Sequence, residues 1–280
     1  MKIVDLPKDL VLKIDSPVQL YDYHTAKEIL HQRIILSQHT FSFLIEGSKE
    51  VITESSKVSI KNTHFLMMKS GHCLMTERLS FSNKDYRSML LFFSTSYIHE
   101  LIKKHELSVR ETNNDNRSVQ TFVYDDFIKQ YVKSLIDINN LKPDIKEKLA
   151  KVKLEELILY LIETKGIEFL SIFSDSSRRE QSNFNTVIDN NRLNKLDLRE
   201  LAFLANMSVS TFKRAFEKHY KTSPIKWFQS QRLENAATLL STTSIRPSDI
   251  YEASGYESLT NFIQAFKAKY GVTPKQYQLG

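Results

Sequence analysis

Apolar and polar positions follow a short-strand pattern over residues 1–93. Val18–Tyr23, Arg33–Leu36, Thr40–Glu46, Lys49–Thr53, His64–Met68, His72–Thr76 and Ser88–Phe93 each suit a strand, with turn residues between them. Gly47-Ser48 and Ser70-Gly71 fit hairpin turns. Many short strands without intervening helices predict a small sandwich or barrel. From Ser94 the period changes to a helical one, over Ser94–His105, Thr121–Asn139 and Asp144–Lys165. In the last of these Leu154, Leu157, Ile158, Leu161 and Ile162 form one stripe, and Leu149, Val152 and Leu159 widen the apolar surface. That surface suits burial against the barrel and its neighbouring helices. Ser174–Ser182 is polar and has no apolar period, so it reads as a linker. A short helix over Phe184–Asn190 follows.

The last hundred residues carry an internal repeat. Ser208–Trp227 reads SVSTFKRAFEKHYKTSPIKW, and fifty positions on Ser258–Tyr277 reads SLTNFIQAFKAKYGVTPKQY. Phe212, Ala215, Phe216 and Tyr220 recur at helical spacing, as do Phe262, Ala265, Phe266 and Tyr270. Polar side chains lie between them and are free to face outward. Each copy ends in Ser/Thr-Pro, an N-cap followed by Pro at the first helical position, so new helices start at Pro224 and Pro274. A shorter helix precedes each copy. Asp197-Leu198-Arg199-Glu200 has capping-box form, and Leu198, Leu201, Ala202 and Ala205 make an inward face. That helix ends at Asn206. Its counterpart runs from about Pro247 to Ser254 and ends at Gly255. Asn and Gly best tolerate the left-handed turn that two helices joined this tightly need. Helix, tight turn and second helix with a polar outer face make a helix-turn-helix, and it occurs twice.

These residues resemble the DNA-binding domain of the AraC/XylS family of bacterial transcription regulators. The likeness rests on LAFLANMSVSTFKRAFEKHYKTSP, RLENAATLL and GYESLTNFIQAFKAKYGVTPKQY, and covers about Phe184–Gln278. It implies two helix-turn-helix units joined by a long helix, here about Pro224–Leu240. It also implies recognition helices in adjacent major-groove segments on one face of promoter DNA, roughly 34 Å apart. The implied fold is a two-domain α+β chain. Residues 1–173 would form a cupin-like β-barrel with flanking helices, and 183–280 an all-α DNA-binding domain after the linker at 174–182. Three positions depart from the family pattern. Tyr251 stands where Ala is usual, Ser254 where an apolar residue is usual, and Gln264 where Arg is usual, whereas Arg214 is retained. The first unit is therefore expected to read bases more than the second, and the second to contribute mainly phosphate contacts.

Candidate base readers are Ser210, Thr211, Lys213 and Arg214 in the first unit and Thr260, Asn261 and Gln264 in the second. Arg214 suits bidentate contact to guanine, and Asn261 or Gln264 to adenine. Lys218, Lys221, Lys267 and Lys269 are either phosphate contacts or solvated lysines. Charge supports the assignment. Residues 191–280 hold 13 Lys/Arg against 7 Asp/Glu, while the preceding 190 hold 26 of each, so the net charge of +6 lies wholly in the repeat-bearing region.

Composition narrows the rest. A hydrophobic share of 41 % with 26 % charged residues suits a soluble globular protein of two domains. Cys73 is the single cysteine, which excludes a disulfide framework and fits a reducing compartment. No signal peptide and no apolar run near the ~20 residues of a membrane span are visible, so a bacterial cytoplasm is expected. His24, His31, His39, His64 and His72 are scattered with no His-x-His, so no metal or other cofactor is expected. Nucleophile elbows, phosphate-cradling loops and dinucleotide fingerprints are missing, and six glycines could hardly build them, which argues against an enzyme.

The role of the first domain stays open between three readings. Phe41, Phe43, Phe65, Met67 and Phe92 either fill a plain core or line a pocket for a small apolar effector. Resemblance allows the pocket, since many family members sense small molecules there. The third reading is a protein effector. Ser-Thr-Phe-Lys-Arg and the later Pro-x-Lys-Trp look most like a subgroup that includes regulators of secretion and virulence genes, some of which answer to a partner protein. Dimeric members of the family suggest that Leu154, Leu157 and Leu161 meet a second copy. The expected activity is sequence-specific regulation, most simply activation together with RNA polymerase. A non-specific architectural DNA binder is the rival.

Overall fold

A computed structural model describes residues 2–10, 16–107, 118–173 and 182–279. It divides into two compact units, Met1–Gln181 and Ser182–Gly280. Apart from Ser182, the linker read at 174–182 lies outside the described residues.

The first unit is two five-stranded sheets with helices on one side. Its strands are β1 (Val4–Leu6), β2 (Val18–Thr25), β3 (Ile29–Leu36), β4 (His39–Glu46), β5 (Ser48–Ile52), β6 (Lys57–Lys61), β7 (His64–Met68), β8 (Gly71–Arg78), β9 (Tyr86–Phe93) and β10 (Val119–Val123). The first sheet runs β1-β3-β8-β5-β6 and the second β10-β7-β4-β9-β2. All pairings are antiparallel except β1 on β3, where Val4 to Leu6 lie opposite Ile34 to Leu36. Gly47 makes the β4–β5 turn at φ 89°, where a Cβ would run into the Arg78 carbonyl.

The second sheet is buried on both faces, which explains its almost unbroken apolar runs FLMM and MLLFF. Odd positions of β4, β7 and β9 (Phe41, Phe43, Phe65, Met67, Met89, Leu91, Phe93) face one core. Even positions (Leu44, Leu66, Met68, Leu90, Phe92) face the other, between the sheets, with Leu36, Val51 and Met75 of the first sheet. Cys73 lies in that inter-sheet core, where burial pushes its thiol up to about 12.

Three helices cover the odd face: α1 (Thr95–Lys104), α2 (Asp126–Asn139) and α3 (Pro143–Lys165). Leu154, Leu157 and Leu161 are 0 %, 0 % and 2 % exposed and pack into the same core as Phe41 and Phe65. They are therefore not available to a second copy, and the expected dimer contact cannot use them. Ile145, Val152 and Leu159 point outward instead, at 47 %, 59 % and 38 % exposure.

The helix expected from Thr121 begins later. Residues 121–123 belong to β10, where Phe122 pairs with Phe65 and Val119 with Met68. Two buried positions, Val119 and Phe122, hold the strand to the sheet. The helix starts only after Asp125, whose Oδ1 accepts the Ile128 N–H at 2.8 Å. Strands β1 and β6 also went unforeseen. Both are short edge strands, and in β6 only Ile60 is buried, so neither shows a buried alternation.

The second unit is all helical: α4 (Ser182–Asn191), α5 (Leu198–Leu204), α6 (Val209–Tyr220), α7 (Pro224–Thr242), α8 (Pro247–Ile250), α9 (Leu259–Tyr270) and α10 (Pro274–Leu279). The apolar stripes of the repeat form two aromatic clusters. Phe216 sits among Phe184, Phe212, Tyr220, Trp227 and Phe228. Phe266 sits among Phe262, Tyr270 and Tyr277, over Leu233, Ala236 and Leu240 of α7. The long helix thus supplies one face to each cluster.

Candidate nucleic-acid interface

Both tight turns are built alike. Asn206 (φ 52°) and Gly255 (φ 82°) take the left-handed conformation. Around them the Met207 N–H reaches the Ala202 carbonyl at 2.9 Å and the Tyr256 N–H the Tyr251 carbonyl at 3.1 Å. These bonds span five residues and close α5, and the turns that continue α8, in a Schellman arrangement. The first helices differ. In α5 Asp197 and Glu200 complete the capping box, with both bonds at 2.7 Å. In α8, Arg246 occupies the cap position without a side-chain bond, and the helix is one turn long instead of reaching Ser254.

The following helices, α6 and α9, are capped by equivalent serines. Ser208 Oγ accepts the Thr211 N–H at 3.1 Å, and Ser258 Oγ accepts the Asn261 N–H at 3.2 Å. The apolar stripes fix which face each helix buries. Ser210, Thr211, Lys213 and Arg214 are all exposed on α6, and Thr260, Asn261 and Gln264 on α9. Arg214 has no protein partner among the described residues, so its donors are free for a base edge. Lys213 lies 3.9 Å from Glu217, a loose exposed pair worth little. The Ser208, Ser210 and Thr211 hydroxyls bond one another at 3.0 and 2.8 Å, which orders the start of α6.

The four lysines separate into different roles. Lys218 and Lys267 are exposed and unpaired among the described residues. Lys221 is the C-cap of α6 at φ 55°, where the second copy has Gly271 at φ 79°. Lys269 is already engaged. Its Nζ donates to the Ser230 carbonyl at 2.9 Å and to Glu234 Oε1 at 2.7 Å, tying α9 to α7. A lysine held there braces α9 on α7, and a phosphate contact from it would compete with these bonds. Lys218→Ala is therefore expected to lower the slope of log affinity against log salt by about one. Lys269→Ala should leave that slope unchanged, and filter binding across a salt series separates the two.

Further braces on α7 escaped sequence reasoning. Arg232 Nε donates to the Ser254 carbonyl at 3.1 Å and lies against Gly255, where a Cβ would meet it at 2.9 Å. Burial pushes the Arg232 guanidinium below its usual range. Gln229 Nε2 reaches the Tyr256 hydroxyl at 3.2 Å. These bonds join positions 22 to 39 residues apart, and a single sequence holds no signal for them. The family departures find places here. Tyr251 packs against the second cluster, and buried Ser254 offers its carbonyl to Arg232. Ser223 corrects a smaller expectation, because it precedes α7 without a side-chain cap bond, while Thr273 Oγ1 does accept the Gln276 N–H at 3.3 Å.

Of the five expected pocket residues, Phe92 lines the cavity between the two sheets. Phe41, Phe43, Phe65 and Met67 face the helices, one residue out of phase with the interior, and stack there with ring separations such as 5.0 Å for Phe43 and Phe65. Among the described residues no three metal-ligating side chains converge, and no helix is long and apolar enough to cross a membrane.

Comparison with known proteins agrees with this division. Residues 39–172 match the ExsA N-terminal regulatory domain, and 201–279 match a helix-turn-helix domain. The virulence regulon transcriptional activator VirF of Yersinia enterocolitica is 27 % identical over 172 residues, 61 % of this chain and 63 % of VirF. The chain thus matches just under two thirds of that relative's length. The HTH-type transcriptional regulator ExsA of Pseudomonas aeruginosa is 23 % identical over 85 % of this chain and 84 % of its own. Among solved structures, ToxT of Vibrio cholerae aligns over 94 % of this chain and 98 % of its own, with 14 % identity and a TM-score of 0.41. Two helix-turn-helix units with the same closed turn, following a segment that matches a regulatory domain, make the chain similar to the AraC/XylS family of transcription regulators.

Proposed function

We propose that this protein is a sequence-specific transcription activator that reads two adjacent major-groove segments of promoter DNA. The observation that carries the reading is the pair of equivalent helices, α6 and α9, each presenting a polar outer row behind the same Schellman turn. Arg214 is the main base reader, supported by Ser210, Thr211 and Lys213. Thr260, Asn261 and Gln264 read the second segment more weakly, because none brings the charged fork of an arginine. Lys218, Lys221 and Lys267 contact phosphates.

The first unit acts as the sensor, and its effector enters between the two sheets rather than among Phe41, Phe43, Phe65 and Met67. A second copy would engage α3 through Ile145, Val152 and Leu159, which lie seven residues apart on its outer side. RNA polymerase is the partner that activation requires. The relatives named as activators support the sign of regulation.

Selection of genomic fragments by the full-length protein at near-physiological salt tests the reading. The expected result is one motif with two contacted segments about one helical turn apart. Recovery of fragments without a shared motif would favour an architectural DNA binder and overturn it.

A further inference from the structure

The space between the two sheets is not completely filled. A cavity of about 130 Å³ remains there, walled by Leu36, Met68, Met75, Leu90 and Phe92. Natural cores leave few voids of this size. An apolar cavity of about 150 Å³ accepts a molecule the size of benzene. The volume therefore suits about six to eight non-hydrogen atoms.

Five polar side chains also line it, the neutral Tyr23, Gln32 and Thr40 and the charged Lys49 and Glu77. The Lys49 and Glu77 side chains are 2 % and 8 % exposed, and Nζ lies 3.6 Å from Oε1. Lys49 also donates to Ser42 Oγ at 3.1 Å. Burial raises the Tyr23 hydroxyl above its usual range, and the charge of Glu77 raises it further. Tyr23 therefore stays a neutral donor, bonded to the Glu77 carboxylate.

This end of the cavity is charge-balanced, one cation facing one anion. A carboxylate ligand would set two anions, its own and Glu77, against the single Lys49 cation. A cationic ligand would do the reverse to Glu77. Either way one charge is left uncompensated in a buried site, which is costly. A hydroxyl or amide can donate to Glu77 and accept from Lys49 while both charges stay paired.

We propose that this cavity binds a small neutral molecule, ring-sized and apolar at one end, with a single hydroxyl or amide directed at the Lys49–Glu77 pair. The proposal rests on the sensor reading of the first unit and adds the chemical class of the effector.

Phenol and benzylamine are matched probes, since both carry one ring within that volume and only benzylamine is charged at pH 7. The full-length protein with 13C-methyl methionine reports where they bind. Met68 and Met75 line the cavity, whereas Met67 and Met89 face the helices. Phenol is expected to shift the Met68 and Met75 methyl signals saturably, to leave Met67 and Met89 in place, and to bind at least tenfold more tightly than benzylamine. Equal or tighter binding of benzylamine would overturn the proposal. So would shifts centred on Met67 and Met89, or no saturable shift with phenol, which would mean a cavity holding water alone. A separate measurement of DNA affinity with phenol bound tests the underlying reading. Cavity binding with unchanged DNA affinity keeps the ligand class and removes the sensor role.

Discussion

Replacing Phe216 with Ala is expected to destabilise the helical unit by about 3–5 kcal/mol, the usual cost of emptying a buried phenylalanine site. Phe216 is 0 % exposed. Its ring lies 4.5 Å from Tyr220, 5.6 Å from Trp227, 5.8 Å from Phe228, 6.0 Å from Phe212 and 6.4 Å from Phe184. Those partners come from α4, α6 and α7, so the hole opens where three helices meet, and rigid rings cannot collapse into it. A domain stability of about 5–15 kcal/mol makes such a loss a large fraction of the total. Trp227 is the one tryptophan in the chain and belongs to this cluster. Its fluorescence therefore follows unfolding of this unit through a urea titration of the full-length protein. A loss below about 1 kcal/mol would mean that the cluster repacks and that α6 is not oriented by it.

Arg214→Ala is expected to weaken binding to the selected motif by about 1–3 kcal/mol, roughly 5- to 150-fold, at fixed salt. Binding to random DNA should change far less, because on a non-cognate site the guanidinium has no matching base edge to give up. Gln264→Ala, at the equivalent position of α9, should cost less on the same motif. Competition binding with cognate and scrambled duplexes reads all three quantities. An equal loss on both duplexes would make Arg214 a phosphate contact and move base reading elsewhere on α6.

The helical unit was largely legible in the sequence because its determinants are local. Ser208 and Ser258 cap within one turn, Asn206 and Gly255 shape their own turns, and Phe212 and Phe216 recur at helix spacing. The braces from α7 were not legible, since Lys269 and Glu234 meet only through the fold. The same division runs through the sheets. The runs in β4, β7 and β9 announced strands, yet both faces of that sheet are covered. Alternation then no longer tells which parity faces the interior. Phe92 fell on the cavity side, and Phe41, Phe43, Phe65 and Met67 on the other. Likewise the stripe of Leu154, Leu157 and Leu161 was legible as apolar, but not which partner would cover it.

Strand β1 has a consequence for how this protein keeps to itself. Three residues, Val4 to Leu6, run parallel to Ile34–Leu36 and close the margin of the first sheet. Without them β3 would present a row of unpaired amides and carbonyls beside an apolar interior, a template on which another chain can add a strand. Protection of the first unit's sheet edge therefore depends on a very short segment. A fusion or truncation that pulls β1 away invites edge-to-edge aggregation even though every other element is intact.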